Sequence, residues 1–386
     1  MAKFFRQLLN FSIDKIAAAA GNDPDVLRLE NLDTDLHPPE AAIEATRAAI
    51  GRDEDNSYLP FTGKVGLRRL IAERLSRQTN QLYKPDQVII TSGATEGMTD
   101  VLLALLSPGD GVVLTDPTYA GMIQRVKLAG GIPSLVPFYP NGGDWRLDLD
   151  MLIPTVHPNT KAFFIMNPSM PSGAVLNMKE WEAIRKLCIE HDLWLIYNAA
   201  MERILFDNRK LIHPAALPGM SERTITIGSV SKEYRMIGWR IGWVAGPKNV
   251  MEQIAQIHIY NVVTPSGFAQ KGAESAVQSS ESDFQFHNQI WELRRNVVCE
   301  ELKNYRMIPA AGGWSQLLDV SPMGLTAEIA SKLLLEQGKV AVTPMTHWGE
   351  RNGKQFVRLV FSNEPVERLR TLGERFRSAF GKGVFN

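Results

Sequence analysis

Between about residues 85 and 245, short β-rich runs alternate with helical ones. That alternation constrains the chain more than any other feature, because strands separated by helices assemble into a parallel sheet covered on its faces. The pattern predicts strands over 88–91, 111–115, 161–166, 193–197, 223–228 and 240–245. Helices are predicted over 95–106, closed by Ser107-Pro108-Gly109-Asp110, and over 179–190. Beyond about residue 275 the pattern changes to a long helix over 284–306, followed by mixed short elements. The expected division is a large domain over 46–275 and a smaller one built from 276–386, joined by an N-terminal segment over 1–45. With 386 residues, 44% of them hydrophobic, there is material for both cores. No internal repeat or low-complexity tract interrupts the pattern.

The N-terminus has apolar Phe4, Phe5, Leu8, Leu9 and Phe11 beside basic Lys3 and Arg6, a superficial likeness to a signal peptide. Asp14 and Lys15 break the apolar run before 17–20, so no uninterrupted hydrophobic region exists. The spacing Phe5, Leu8, Leu9, Ile13, Ile16 predicts an amphipathic helix that docks on the body. No stretch approaches the roughly 20 apolar residues of a membrane span. Forty-two basic residues balance 42 acidic ones, so neither nucleic acid nor an anionic membrane is expected as a partner. Cys188 and Cys299 lie far apart and in no metal-ligand spacing, so the expectation is a cytoplasmic protein without disulfides or a metal site.

Two segments carry chemistry. In Ser229-Val230-Ser231-Lys232, followed by Gly238-Trp239-Arg240-Ile241-Gly242, a lysine stands just past a buried strand. Lysine is seldom placed where it must shed water, and one that is has a lowered pKa and a nucleophilic amine suited to a Schiff base. Ser229 and Arg240 flank it with a hydroxyl and a guanidinium, which together suit a phosphate dianion. In Thr91-Ser92-Gly93-Ala94-Thr95-Glu96-Gly97 a strand turns into a helix, whose first backbone N–H groups bind phosphate readily. Taken alone, Thr95 reads more readily as a simple helix N-cap.

With these segments in place, the chain resembles the class I/II aminotransferases, the fold-type-I pyridoxal 5′-phosphate (PLP) enzymes, over nearly its whole length. Tyr58, in Ser57-Tyr58-Leu59-Pro60-Phe61-Thr62-Gly63, resembles the tyrosine that reaches the phosphate in the neighbouring subunit, which implies a homodimer. Gly93-Ala94-Thr95 resembles the phosphate-cup turn, and Tyr119, in Asp116-Pro117-Thr118-Tyr119, the aromatic that stacks on the pyridine ring. Lys232 matches the Schiff-base lysine, with Ser229, Ser231 and Arg240 around the phosphate. Arg358, in Phe356-Val357-Arg358-Leu359, resembles the arginine that clamps the α-carboxylate of an amino-acid-like substrate. The resemblance implies an α/β fold with a mostly parallel seven-stranded sheet and a smaller α+β domain.

Departures from the family gather around the cofactor ring. Where the family has an aspartate that keeps the pyridine nitrogen protonated, Ile196-Tyr197-Asn198-Ala199-Ala200-Met201 places Asn198. An amide supplies a hydrogen bond there but no charge. The family's tyrosine and asparagine that donate to the ring's phenolic oxygen are matched by Met201 and by Met170, in Met170-Pro171-Ser172-Gly173. Thioethers donate nothing. Near the substrate carboxylate, a usual glycine is matched by Leu32, beside Asp33. Asn167 and Tyr197 are the candidates to substitute for the lost donors. A weakened electron sink favours chemistry other than plain transamination, such as elimination, replacement, decarboxylation or bond formation. An ordinary aminotransferase and a non-catalytic PLP-binding protein remain the alternatives. In Thr346-His347-Trp348-Gly349, His347 reads as a solvent-exposed loop residue more readily than as a substrate contact; Arg235 reads as a substrate or phosphate contact or a solvent-facing side chain, and Glu202-Arg203 as a charge pair or two solvated side chains.

Overall fold

The computed structural model describes residues 12–351 and 353–381. Its centre is an eight-stranded sheet with strands β1 (Val88–Thr91), β2 (Gly111–Asp116), β3 (Ile132–Asn141), β4 (Asp144–Leu147), β5 (Thr160–Met166), β6 (Trp194–Asn198), β7 (Thr224–Ser229) and β8 (Gly242–Ala245). Their order across the sheet is β1-β8-β7-β6-β5-β2-β3-β4. β2, β3, β5, β6 and β7 pair in parallel; β8 is antiparallel to both β1 and β7, and β4 is antiparallel to β3. Every residue of β1, β2, β7 and β8 is buried, as expected of strands covered by helices on both faces, and their Val- and Ile-rich runs reflect it.

The α/β fold is as expected, but the sheet has eight strands rather than seven. Two strands, β3 and β4, have no counterpart among the six predicted; they form a hairpin turned by Gly142 and Gly143 at positive φ, with β4 at the sheet edge. β3 itself contains Pro133, Pro137 and Pro140, which argue against a strand when read in isolation. The strand predicted from 240 starts at 242, because Arg240 takes a left-handed conformation (φ 55°) after a short 3-10 turn over Ile237–Trp239. The long helix spans Glu281–Glu301 rather than 284–306, with the Ser280 side chain accepting the Asp283 N–H at its start.

Around the C-terminal third, Ser315–Asp319, Phe356–Val360 and Thr343–Pro344 form a three-stranded antiparallel sheet. The N-terminal segment joins it: Leu27–Arg28 pairs in parallel with Val340–Ala341, and Asp35 takes a two-pronged bond from Arg294 at 2.7 and 3.0 Å. Helix Ser12–Ala20 precedes this segment. Its Ile13 packs on the main core, and Ile16 packs on Ala20, Val26 and Ala341. Phe5, Leu8 and Leu9 of the expected amphipathic helix lie outside the described residues. No helix among the described residues is long and apolar enough to cross a membrane.

Candidate active site

Six of the eight strands, β7 included, point their C-terminal ends the same way, and residues at or just past five of those ends converge on one cavity of about 240 Å³. β1 delivers Ala94 and Thr95, β2 Tyr119, β5 Met166 and Met170, β6 Asn198 and Ala200, and β7 Ser229, Ser231 and Lys232. Reversed β8 contributes from its N-terminal side, where Arg240 precedes Gly242. Arg358, Leu32 and Trp348 close the cavity from the opposite side.

One end of the cavity is rich in donors. Helix Gly93–Leu105 begins there with Gly93 at φ +73°. A Cβ on Gly93 would lie 2.5 Å from Arg240 Nη2, so the turn and the guanidinium fit together only because glycine has no side chain. Thr95 falls within the helix's first turn and is not its N-cap. Ser229 Oγ bonds Ser231 Oγ at 2.8 Å and accepts the Ser231 N–H at 2.9 Å, while Arg240 Nη1 reaches Ser231 Oγ at 3.5 Å. Helix-terminal amides, two hydroxyls and an arginine match a phosphate monoester in both size and charge.

Lys232 stands beside this end, half-buried. Its Nζ donates to the Leu32 carbonyl at 2.6 Å and lies 4.9 Å from the Trp314 ring. Burial above all, together with the charges of Arg358 and Arg240, pulls the amine down to about 7, although Asp33 opposes the shift. At neutral pH a large share of it is therefore the free base.

Arg358 is fully buried. Nη2 donates to the Glu30 carbonyl at 2.5 Å and to Thr343 Oγ1 at 3.3 Å, and Nη1 to Met170 Sδ at 3.4 Å. Its Nε has no partner, and no carboxylate among the described residues forms an ion pair with it. The Trp348 ring lies 4.9 Å from its Cζ and 6.3 Å from the Tyr119 ring. Burial lowers the guanidinium pKa to about 10, against the pull of Glu30. A buried cation with an unmet donor is costly, and an anionic ligand in the cavity relieves that cost.

Asn198 is buried at the end of β6. Its Oδ1 accepts the Ala200 N–H at 3.1 Å, and its Nδ2 lies 3.5 Å from Met98 Sδ. Neither proposed substitute donor lines the cavity. Asn167 Oδ1 accepts the Leu176 N–H at 2.9 Å, and the Tyr197 hydroxyl sits among Asn167 O and Glu202 Oε2, both at 3.4 Å.

The structure separates other predicted residues from the cavity. Met201 is buried near Gly313 and is not among the lining residues. Asp33 also lies behind the lining, its carbonyl accepting from Ser362 Oγ at 2.5 Å. Tyr58 is 88% exposed, on the outer surface beside Pro265 and Phe268. His347 is exposed, as expected. Arg235 is a buried strut, donating to the His37 carbonyl at 2.7 Å and to Asp283 at 2.8 Å. Glu202 and Arg203 do not pair with each other: Glu202 is buried against Arg74 at 3.0 Å, and Arg203 pairs with Glu281 at 2.6 Å. Sequence reasoning missed Trp348, Trp314, Met98 and Ile13. The run Thr346-His347-Trp348-Gly349 was in view, but only the fold shows that its tryptophan, not its histidine, faces inward.

The profile of the family "Aminotransferase class I and II" matches residues 25–376. An aspartate aminotransferase of Pyrococcus abyssi is 32% identical over 91% of this chain and 90% of its own length. An arginine–pyruvate transaminase of Pseudomonas aeruginosa is 30% identical over 92% of this chain and 88% of its own. Among solved structures, the aspartate aminotransferase of Thermus thermophilus with maleate superposes at a TM-score of 0.92 with 27% identity, covering 98% of this chain and 99% of that one. Together with a cavity that fits a phosphorylated pyridine aldehyde beside a depressed lysine amine, these matches establish that the chain belongs to the class I and II aminotransferases and is a PLP-dependent enzyme of fold type I.

Proposed function

We propose that this protein is an aminotransferase that carries the amino group of an α-amino acid to a 2-oxo acid. The observation that carries this reading is one cavity holding both a lysine amine lowered to about 7 and a buried arginine without a carboxylate partner. The departure from transamination expected from the ring contacts is not the leading reading, because the relatives matched here are named aminotransferases.

In this reading Arg358 fixes the substrate carboxylate through its unmet Nε edge, beside Leu32 and with Asp33 behind it. The Gly93–Ala94–Thr95 amides, Ser229, Ser231 and Arg240 hold the cofactor phosphate, and Tyr119 covers the ring. Bound PLP supplies the electron sink for breaking a bond at Cα. Lys232 would hold the cofactor through its amine and, with the substrate amine in that place, would be the base within the cavity for the proton on the substrate's Cα. A half-neutral amine near pH 7 suits both directions of that transfer. Met170 and Met166 give the ring's other side an apolar, adaptable wall.

A second reading keeps the altered chemistry, and one observation favours it. With Oδ1 occupied by the Ala200 N–H, Asn198 offers its NH₂ edge, which donates to an unprotonated ring nitrogen and weakens the sink. A spectral titration of the PLP-loaded protein with amino acids, with mass spectrometry of the products, separates the two. Pyridoxamine phosphate with a stoichiometric 2-oxo acid supports transamination. Regenerated PLP with loss of a side-chain group or carbon dioxide, or with a new bond, supports the second reading.

Three coarser features belong to the same proposal. A homodimer is supported by exposed Tyr58, Tyr260 and Phe268, and sedimentation checks it. A division into residues 46–275 and a smaller unit of 1–45 with 276–386 is supported by the pairing of Leu27–Arg28 with Val340–Ala341. A reducing, cytoplasmic setting is supported by two free thiols, Cys188 and Cys299.

A further inference from the structure

Away from the cavity, the helix that opens at Gly93 carries a second group of titratable side chains. Glu96 and Asp100 project from it toward His258 on helix Lys248–Asn261, and all three are buried. His258 Nδ1 lies 2.6 Å from Glu96 Oε1 and 3.5 Å from Asp100 Oδ2. On the other side of the ring, Nε2 lies 3.0 Å from the Phe61 carbonyl oxygen.

These contacts constrain where the protons sit. A carbonyl oxygen only accepts, so Nε2 carries a hydrogen. The second oxygen of Glu96 accepts the Ser92 N–H, and Asp100 Oδ1 accepts Asn261 Nδ2 at 2.9 Å, so both carboxylates already act as acceptors. Burial pushes the Glu96 carboxyl up to about 7, so Glu96 and Nδ1 compete for one proton; Asp100, held low against its burial by its bonds to His258 and Asn261, tips that proton to the ring, and His258 is the cation of the group. Burial works against that charge, but the bonds to Asp100 and Glu96 outweigh it and raise the ring to about 9. A histidine with two carboxylates also has the composition of a metal-ligand set. A ring whose two nitrogens both donate has no lone pair to offer an ion.

The cation joins two pieces of functional backbone. Phe61 belongs to the 57–63 loop that presents Tyr58, and Thr62 O of that loop accepts the Ile90 N–H of β1 at 3.0 Å. Glu96 reaches back to Ser92, the residue that precedes the 93–95 turn. Among the described residues, the charged groups facing His258 are Glu96 and Asp100 from the turn's own helix; the loop contributes a neutral carbonyl.

We infer that His258 is a positioning residue that fixes the Tyr58 loop and the Gly93–Thr95 turn relative to each other, so that phosphate affinity and order in the loop rise and fall together. The inference rests on reading the 93–95 turn as the phosphate cradle.

The test uses the full chain and two ligands, PLP and pyridoxine 5′-phosphate; the latter lacks the aldehyde and reports binding without the lysine bond. Affinities are measured for wild type, His258→Gln, Asp100→Asn and Arg240→Ala, alongside hydrogen exchange at residues 61–63. His258→Gln is expected to weaken both ligands by about tenfold and to speed exchange in the loop. Wild-type affinity for pyridoxine 5′-phosphate is expected to fall between about pH 8 and pH 10, above the Lys232 titration, and His258→Gln is expected to lose that step. Unchanged affinity in His258→Gln, or weakened affinity with unaltered exchange and a retained step, overturns the inference. If His258→Gln does not fold, a wild-type profile without the step, or an Asp100→Asn profile identical to wild type, overturns it equally. Arg240→Ala separates the two layers. If it leaves phosphate affinity intact, the cradle reading fails and takes the inference with it. If Arg240→Ala weakens binding while His258→Gln does not, the inference alone fails.

Discussion

The side-chain oxygen of Asn198 accepts the backbone N–H of Ala200 at 3.1 Å, and that bond decides which edge of the amide faces outward. A backbone N–H has only a hydrogen to give, so the atom opposite it is oxygen, and the nitrogen is turned toward Met98 Sδ.

Replacing Asn198 by aspartate exchanges that outward donor for a second carboxylate oxygen in a buried place. The cofactor-free Asn198→Asp variant is expected to lose about 1–3 kcal/mol of stability, the usual penalty for an unsatisfied buried acceptor. PLP is expected to restore more stability to the variant than to wild type, because a protonated ring nitrogen donates to the carboxylate. Denaturant melts with and without cofactor check both statements; equal apo stabilities would sink the first.

Lys232 makes the apoprotein's stability depend on pH. Its amine titrates near 7 when folded, against about 10.4 in an unfolded chain, so across that window the unfolded chain binds the extra proton. The destabilisation is complete below about pH 7 and is relieved as pH rises toward 10.4, by about 1.4 kcal/mol per pH unit at most. Lys232→Met is expected to be the more stable protein at pH 7, with a lead that shrinks by pH 9.5. Urea midpoints at the two pH values measure it.

Gly93→Ala places a methyl group against Arg240 at a backbone position of φ +73°. The left-handed backbone costs about 1–2 kcal/mol, and the guanidinium is pushed off the turn. Expected together are a lower melting temperature and PLP binding weakened by about tenfold; a drop in stability with unchanged affinity would show that Arg240 does not serve the phosphate.

Trp348 lies against Arg358 with its ring centre 4.9 Å from Cζ. Trp348→Ala removes a cation–π contact of about 0.5–2 kcal/mol and lets water reach the guanidinium. The expected effect is a KM for the amino acid raised roughly 3- to 30-fold, with kcat changed far less. Arg358→Lys, which loses the planar fork, is expected to raise KM further. Steady-state kinetics on both variants test the order.

Much of the site was legible because its residues follow strand ends, and strand ends are marked by local composition. Lys232, Ser229, Tyr119 and Asn198 each close or follow a short apolar run, so the sequence order already implied their meeting at one edge. Trp314 and Trp348 were not legible. They come from the C-terminal third, and packing between distant segments, which no local pattern records, brings Trp314 to Lys232 and Trp348 to the cavity wall. Met201 fails for a related reason: spacing put it one turn past Asn198, but the backbone there directs Ala200 rather than Met201 to the cavity. The β3–β4 hairpin stayed hidden behind three prolines of β3, which are tolerated because each is paired on one side only: Pro133 and Pro137 with β2, Pro140 with β4.

The antiparallel run of β8 has a mechanical consequence. Because Ser229 pairs with Gly242, the chain leaves the sheet after β7 and re-enters it directly opposite. Lys232 and Arg240 ride on the excursion between, as cargo on a loop whose two ends are clasped by a single ladder. Lengthening that excursion costs little entropy and leaves the clasp untouched, so evolution can shift the amine's reach within a standing scaffold. The fold and the position of its reactive nitrogen are thereby free to vary separately.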